Sequence, residues 1–576
     1  MKNAEISELF GEMADVMEIL GEDVFRINSY RKVARVIGDM PRDVEEMLAA
    51  GKLEETPGIG KSSLGKTEEF VKTGKMTAHQ ELLKKIPQTL LELLKIPGMG
   101  PKGVKAVYEN LKVKSIAELK KVIENGKLAT LPGFGEKKAA LIAKGINFLE
   151  TSTGRIRLDQ AFEAANMAIE FLKDLPGVEK IEFAGSLRRC AETIGDVDIL
   201  VTGKNGKAII DAFVGAGFVQ QVLAAGDTKG AAIIKTSTTA VQVDVRVVAE
   251  KSFGSALNYF TGSKQHNVAL REMAVKAKLK LNEYGLFRGE KMVAGKTEEE
   301  IYKKLGLDFV EPISREDRGE IEAAAKHKLP KLVRLEDIKG DLHIHTAASD
   351  GSCELEEIVE AAKSRGYKYI CITDHSPFIA IANGLSPARL ARQIEKIRKF
   401  SDRQKDITIL AGSEVDILAD GSLDYDDKLL AELDFVIGSI HSRMAGDRNT
   451  ITTRVLKAMD NPYLHCIGHP TGRLLGEREP MDLDIEAVIR HAAKTQTALE
   501  VSANPYRLDL KDVHVKMAIE AGVKLVINTD SHKVHQLDYM PFGVATAGRG
   551  WATMADVVNT MPLAKLKNWL GVKRKK

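Results

Sequence analysis

Two histidines one residue apart close an apolar lead-in at Asp-Leu-His-Ile-His-Thr-Ala-Ala-Ser-Asp-Gly, residues 341–351. An acid, Asp350, follows five residues after the second of them, His345. Alternation along a strand would place His343 and His345 on one face, where imidazole nitrogens and a carboxylate can share a metal ion. A second set of acids lies far upstream. Asp196 and Asp198 stand two apart in Gly-Asp-Val-Asp-Ile-Leu-Val, and Asp244 sits in Val-Gln-Val-Asp-Val-Arg-Val-Val. Three carboxylates on adjacent strands can hold two Mg2+ ions and so clamp an in-line phosphoryl displacement. Gly185-Ser186-Leu187-Arg188-Arg189 precedes them. It offers a glycine for close backbone approach, a hydroxyl, and two guanidinium groups for triphosphate oxygens.

The elements that would carry the histidines form a rhythm. From residue 339 onward, short apolar runs alternate with helical patterns such as LEEIVEAAKSRG and VHVKMAIEAG. The runs are GDLHIH, YKYICITDH, ITILAGSEVDI, FVIGSIH, LHCIGHP, ALEVSAN and LVINTDSH. Seven strand–helix units predict a parallel sheet closed into a barrel, with chemistry at the C-terminal ends of the strands. Six of the seven runs end there in a metal-binding type: His343 and His345, Asp374-His375, Glu414, His441, His469, and Asp530 with His532. A lone histidine is usually a structural residue, but chance does not put such residues at six strand ends. Mixed His/Asp/Glu donors without cysteine suit Mn2+, Zn2+ or Fe better than Ca2+. His465, His491, His514 and His535 fall outside the pattern and receive no role.

The first third carries one turn three times. TPGIGKSSLGKTEEFV begins at Thr56, IPGMGPKGVKAVYENL at Ile96 and LPGFGEKKAALIAKGI at Leu131. In each Pro-Gly-x-Gly the glycines (Gly58 and Gly60, Gly98 and Gly100, Gly133 and Gly135) permit a tight turn, and a helix follows. Free N–H groups at that helix start are suited to a DNA phosphate. Residues 81–150 hold 13 lysines and no arginine against 7 acids, a local +6 within a chain whose net charge is +3. That segment is a candidate electrostatic footprint for DNA.

At 576 residues the chain is too long for one core. Hydrophobic residues at 44% and charged residues at 29% are ordinary for a globular protein. No apolar run is long enough to cross a bilayer, and MKNAEISELFGEMAD lacks a signal-peptide pattern. Cys190, Cys353, Cys371 and Cys466 form no CxxC pair, which excludes a cysteine zinc site of that spacing and a disulfide framework. The expected location is the cytoplasm, associated with the nucleoid.

Taken in order, GSLRR…GDVDIL, VDVRV, YFTGS with Asn267 and Arg271, LNEYGLF, NSYRKVARVI and the hairpin turns resemble the family X DNA polymerases across residues 1–317. That resemblance implies a lyase-like domain, fingers, palm and thumb. It makes Asp196, Asp198 and Asp244 the catalytic metal ligands, with Mg2+ or Mn2+, and puts Gly185, Ser186 and Arg189 at the triphosphate. Tyr259, Phe260, Thr261, Gly262 and Ser263 would shape the sugar pocket. Asn267 and Arg271 would meet the nascent pair or the template. Lys66 falls where the family's lyase nucleophile lies, with Arg26 and Tyr30 as candidate neighbours, but Ser62 replaces an expected phosphate-binding lysine.

The last part resembles the PHP domain, named for polymerases and histidinol phosphatase. That resemblance implies a cluster of three ions, Mn2+ or Zn2+, held by His343, His345, Asp350, His375, Glu414, His441, His469, Asp530 and His532.

The expected architecture is multidomain, α+β and α/β. It comprises a helical DNA-binding domain (1–80), helix-hairpin-helix fingers (81–151), a nucleotidyltransferase palm (152–248), a thumb (249–317), a linker (318–338) and a (β/α)7 PHP barrel (339–576). The expected activity is gap filling on gapped or nicked DNA with deoxynucleoside triphosphates, in base-excision repair, joined to a 3'→5' exonuclease. Abasic-site cleavage, a merely structural PHP domain and a small-molecule phosphatase are the alternatives. The chain is expected to act as a monomer without a membrane.

Overall fold

The computed structural model describes residues 2–38, 40, 44–56, 58–94, 96, 99–136, 138–140, 142–143, 146, 154–379, 382–444 and 446–573. The chain divides into two compact units. One comprises Met1–Ile156, Gln160–Gly185 and Gly195–Phe309; the other comprises Arg157–Asp159, Ser186–Ile194 and Val310–Lys576.

The first unit opens with helices α1 (Asn3–Leu20) and α2 (Val24–Gly38). Gly21, at φ 75°, ends α1 with its N–H on the Glu18 carbonyl. Helix α3 (Lys61–Thr73) starts directly after Gly60, and α4 (Pro101–Leu111) directly after Gly100. The residue between the two glycines anchors each turn: Ile59, Met99 and Phe134 are all buried in one core with Phe10, Met13, Leu93 and Val107. This burial leaves Gly60, Gly100, Gly133 and Gly135 exposed. Gly58, Gly133 and Gly135 have φ of 104°, 83° and 58°, a left-handed backbone that glycine adopts without strain. Gly98 lies outside the described residues.

The same unit holds a five-stranded sheet. In chain order its strands are β1 (Val178–Phe183), β2 (Val197–Gly203), β3 (Val219–Ala225), β4 (Lys229–Lys235) and β5 (Ala240–Val247), arranged β1-β2-β5-β4-β3. Only β2 and β5 pair in parallel, and their register places Asp198 opposite Asp244. Helices α5 (Phe253–Thr261) and α6 (Lys264–Lys276) follow, then an antiparallel sheet of β6 (Lys280–Asn282), β7 (Gly285–Arg288) and β8 (Lys291–Ala294). Ala274, Leu279, Leu286 and Ile301 form the small core beneath that sheet.

The second unit is a seven-stranded sheet, all parallel and in chain order: β9 (Gly340–Ile344), β10 (Tyr369–Ile372), β11 (Thr408–Asp416), β12 (Phe435–Ser439), β13 (Cys466–Ile467), β14 (Ala498–Ser502) and β15 (Leu525–Asn528). A parallel bridge between Ile344 and Ser531 brings the last strand against the first, so the sheet is nearly closed. Every strand contributes to one buried cluster containing Leu342, Tyr369, Leu410, Phe435, Cys466, Ala498 and Val526. Most of these residues stand at strand beginnings. Leu566 and Leu570 of helix α7 (Leu563–Lys573) join the cluster, and His465 contacts the Leu570 carbonyl, so α7 caps the end where the strands start. The opposite end is left for the ligands.

Residues 318–338, expected to be a linker, are instead built into this unit. They contain the helix Glu320–Ala325, bury Leu332 and Val333, and bond Val333 N–H to the Ala552 carbonyl. Their charge and proline content disguised five apolar anchors, Ile321, Ala324, Leu332, Val333 and Ile338.

Leu566 is fully buried in the cluster to which all seven strands contribute. Leu566→Ala is expected to lower stability by about 2–5 kcal/mol in chemical denaturation; a loss below about 1 kcal/mol would contradict a packed cap.

Candidate active sites

The palm carboxylates meet because of strand pairing. Asp198 on β2 and Asp244 on β5 are register partners, and Asp196 immediately precedes β2. Burial, then the charges of Asp196 and Asp244, push the Asp198 carboxyl up to about 7. Burial and Asp244 raise Asp196 as well. Carboxylates this crowded favour a bound cation. Lys229 Nζ lies 3.0 Å from Asp244 Oδ2, and Gln242 Nε2 donates to Asp244 Oδ1 at 3.0 Å. Gly185 shows why that position needs glycine. Its φ is 65°, and a Cβ there would stand 2.7 Å from Asp198 Oδ2.

The other nucleotide-site candidates are placed unevenly. Ser186 follows Gly185 in a short helix, Gly185–Arg188. Arg189, expected at the triphosphate, directs its Nε to Glu316 at 2.8 Å, and its carbonyl accepts from Arg549. Tyr259 and Phe260 stack edge to face at 5.2 Å, with the Arg246 guanidinium 4.6 Å from the Phe260 ring centre. Asn267 clamps their turn, donating to the carbonyls of Tyr259 at 2.7 Å and Gly262 at 3.1 Å. Gly262 leaves the room this clamp needs, since a Cβ there would meet Asn267 Oδ1 at 2.6 Å. Ser263 caps α6, accepting from His266 N–H. Arg271 Nε donates to the Asn267 carbonyl at 3.3 Å. Thus Asn267 and Arg271 brace this turn, a role that spacing alone did not suggest.

Lys66 is half-buried on α3. Its amine donates to Ser62 Oγ at 2.6 Å and lies 5.7 Å from the Tyr30 ring centre. Arg26 is held by Glu22 at 2.6 Å. The described residues therefore bring Tyr30 to Lys66 and engage Arg26 elsewhere.

At the open end of the barrel all nine expected ligands converge. Glu414 is fully buried at their centre. Its Oε2 lies 3.1 Å from His375 Nδ1, 3.4 Å from His343 Nε2 and 3.6 Å from His345 Nε2. Its Oε1 lies 2.9 Å from His469 Nε2 and 3.3 Å from His441 Nε2. Asp530 Oδ1 stands 3.3 Å from His345 Nε2 and 3.6 Å from His343 Nε2. Asp350 Oδ2 stands 3.3 Å from both His375 Nε2 and His532 Nε2. Two donor atoms each about 2.1 Å from one ion are themselves roughly 3–3.5 Å apart. These spacings are those of ligand polyhedra.

Three candidate groups emerge among the described residues: His345, Asp350, His375 and His532; His343, His345 and Asp530; His375, Glu414 and His441. Four ring nitrogens (Nε2 of His343, both nitrogens of His345, Nδ1 of His375) are buried with no hydrogen-bond partner among the described residues. Leaving them bare would cost about 1–3 kcal/mol each, whereas a metal ion takes the one lone pair that each neutral ring offers. The residues therefore fit a metal. Burial, and then the neighbouring rings of His532 and His375, hold His345 near 3, neutral and able to ligate. Burial opposes charge on His441 and His532 too. Glu414 and Asp416 nevertheless push His441 up to about 10, and the Asp350 hydrogen bond pushes His532 up to about 9.

A further layer fixes these rings. Glu500 Oε1 meets His343 Nδ1 at 2.7 Å and accepts from Asn528 at 2.9 Å, while Oε2 accepts the His469 N–H at 2.6 Å. Glu500 belongs to ALEVSAN, the one run without an assigned ligand, so the sixth strand does serve the centre. Asp416 backs His441 at 3.3 Å. Asp374, beside His375 in sequence, accepts from Thr346, Ser349 and Gln393 and so shapes the loop bearing Asp350. His465 bonds backbone at its far end, in keeping with its lack of an assigned role.

Helical hairpins, a carboxylate-bearing palm with a thumb, and a parallel barrel ending in a histidine-rich metal site define a DNA polymerase fused to a metallophosphoesterase. The chain belongs to the family X DNA polymerases that carry a PHP domain. Matching family models are a helix-hairpin-helix domain over residues 1–76, a SAM-like helix-hairpin-helix tandem over 90–147, the DNA polymerase beta thumb over 256–316 and the PHP domain over 341–501. The DNA polymerase/3'-5' exonuclease PolX of Bacillus subtilis (strain 168) is 36% identical over 572 residues, 99% of each chain. A probable phosphatase of Caldicellulosiruptor bescii is 31% identical over 201 residues, 33% of this chain and 79% of that protein. One from Syntrophotalea carbinolica is 32% identical over 170 residues, 29% of this chain and 66% of that protein. Asp530 and His532 lie beyond the matched PHP range, and the fold brings them back to it. Among the described residues no helix is long and apolar enough to cross a membrane.

Replacing Glu500 with Gln keeps its shape and removes its charge behind His343. Metal affinity, measured by chelator competition on the full chain, is expected to fall about 10–100-fold. Unchanged affinity would contradict the orienting role.

Proposed function

We propose that this chain fills short gaps in DNA at the palm and removes nucleotides from DNA 3' ends at the barrel. One observation carries the reading. Both centres hold a full set of acids or ligands, in a chain aligned over 99% of its length with a relative named for both activities. In the palm, the primer 3'-hydroxyl attacks the α-phosphorus of a deoxynucleoside triphosphate; a P–O bond forms and the bond to pyrophosphate breaks. In the barrel, water attacks the last phosphodiester and the terminal nucleotide leaves as its 5'-monophosphate.

When bound, divalent ions supply charge neutralisation and Lewis acidity at both centres. We assign Mg2+ or Mn2+ to Asp196, Asp198 and Asp244, and three Mn2+ or Zn2+ ions to the nine barrel ligands. Asp198 and Asp244 are fixed by their strand register, and Asp198 Oδ2 faces the space above Gly185, with little reorganisation needed. The turn at Gly262 would shape the sugar pocket. The exposed glycines of the hairpin turns would hold the DNA backbone, with the lysines of 81–150 neutralising phosphates. We also infer a monomer acting in base-excision repair in the bacterial cytoplasm, at the nucleoid. The phosphatase relatives align with only 33% and 29% of this chain, which leaves most of it unexplained by a small-molecule reading.

Two variants test the division of labour. Asp198→Ala is expected to lower gap filling by at least about 1,000-fold, and His345→Ala to lower 3'-end removal by a similar factor, through loss of transition-state charge stabilisation. Primer extension and single-strand degradation, assayed separately with Mn2+, read the outcome. Equal loss of both activities in either variant would contradict two centres.

A further inference from the structure

One charged side chain at the barrel end is not used by any role assigned so far. Arg507 lies in the loop after β14, and its side chain is only 16% exposed. Its closest charged neighbour is the metal-ligand candidate Asp530, with Nε 3.6 Å from Oδ2, beyond hydrogen-bond length. Its Nη1 is buried with no hydrogen-bond acceptor among the described residues. A mostly buried guanidinium has five N–H donors to satisfy, and leaving them bare is costly. Two other buried arginines are answered by the protein: Arg454 donates to the carbonyls of Ile417, Leu418 and Ser442, and Arg549 is clasped by Glu316 and Asp512.

The loop bearing Arg507 is rigidly held. Arg507 N–H donates to the Asn504 carbonyl, and the Arg507 carbonyl accepts from Arg473 Nε at 2.9 Å. Asp509 Oδ2 accepts the N–H groups of Thr471 and Gly472 at 2.9 and 3.0 Å, tying this loop to the one that follows His469. Leu475 N–H donates to the Tyr506 carbonyl at 2.7 Å. The guanidinium is thus carried by two interlocked loops at the C-terminal end of the strands, where barrel chemistry occurs. It faces Oδ2 of Asp530, while Oδ1 of the same carboxylate faces His343 and His345. Arg507 therefore borders the ligand cluster with donors to spare, on the outer side of Asp530.

We propose that Arg507 is a catalytic residue of the nuclease centre: it donates to a non-bridging oxygen of the scissile phosphodiester and holds the phosphate against the ligand cluster. A planar fork of donors suits two phosphate oxygens, and charge-assisted bonds in a dry site are strong. The negative charge that grows on phosphorus oxygens during attack by water would strengthen those bonds, so their effect falls on turnover as well as binding. The inference rests on the nuclease reading of the barrel. The competing role is purely structural, with Arg507 only neutralising Asp530.

The test uses the full chain loaded with Mn2+, as wild type, Arg507→Ala and Arg507→Lys. Three quantities are read: removal of 3'-terminal nucleotides, bound metal per chain, and affinity for deoxyadenosine 5'-monophosphate, the product-like probe. Arg507→Ala is expected to lower kcat about 100-fold and weaken the probe at least about 10-fold, with bound metal and melting temperature unchanged. Arg507→Lys is expected to recover part of the probe affinity, since it restores the charge without the fork. Loss of bound metal in parallel with activity would overturn the proposal in favour of the structural role. Wild-type-like probe affinity in Arg507→Ala would overturn it outright. A wild type that removes no nucleotides yet binds the probe through Arg507 would place the failure in the nuclease reading and not in this contact.

Discussion

The barrel end depends on one buried carboxylate. Glu414 is 1% exposed and stands within 3.6 Å of five imidazole rings, those of His343, His345, His375, His441 and His469. A charge so buried would cost several kcal/mol in isolation, so its surroundings must answer it. The answer organises the unit. Seven parallel strands bring five loops and strand ends to one place. Glu500 fixes His343, Asp416 fixes His441, and Asp350 and Asp530 complete the periphery. The capping helix α7 occupies the other end, so packing and chemistry take opposite ends of the same strands.

The palm solves a similar electrostatic problem more simply. There one parallel strand pair sets Asp198 opposite Asp244, and burial with like charge raises the Asp198 carboxyl. No second layer of carboxylates surrounds these acids among the described hydrogen bonds; Lys229 and Gln242 hold Asp244. Gly185 provides space rather than a contact. The two centres thus answer concentrated negative charge by different means, histidine-rich enclosure in one and strand-paired carboxylates beside one lysine in the other.

Much of this was readable from the chain because the informative residues follow backbone periodicity. Asp-x-Asp on a strand, a ligand type at the end of apolar runs, and Pro-Gly-x-Gly before a helix each report a local geometry. Asp350, the ligand with least support from strand-end position, is drawn to His375 and His532 by the loop that Asp374 shapes. What escaped was non-local. Glu500 lay in a run that ended without a histidine, and only closure of the barrel brings it to His343, 157 residues earlier. Arg507 sits in a loop with no periodic pattern. Arg189 and Asn267 were expected at the nucleotide, yet Glu316 engages one and the Tyr259–Gly262 turn the other. Residues 318–338 looked like a linker because their scattered buried side chains do not outweigh a charged composition.

The central claim is that the nine barrel ligands form a loaded metal centre. Diffraction from crystals of the full chain grown with Mn2+, recorded at the manganese absorption edge, tests it most directly. Anomalous peaks are expected inside the group of His345, Asp350, His375 and His532 and beside Glu414, with Glu500 in contact with His343. Anomalous density absent from both places, with Asp350 turned to solvent, would contradict it.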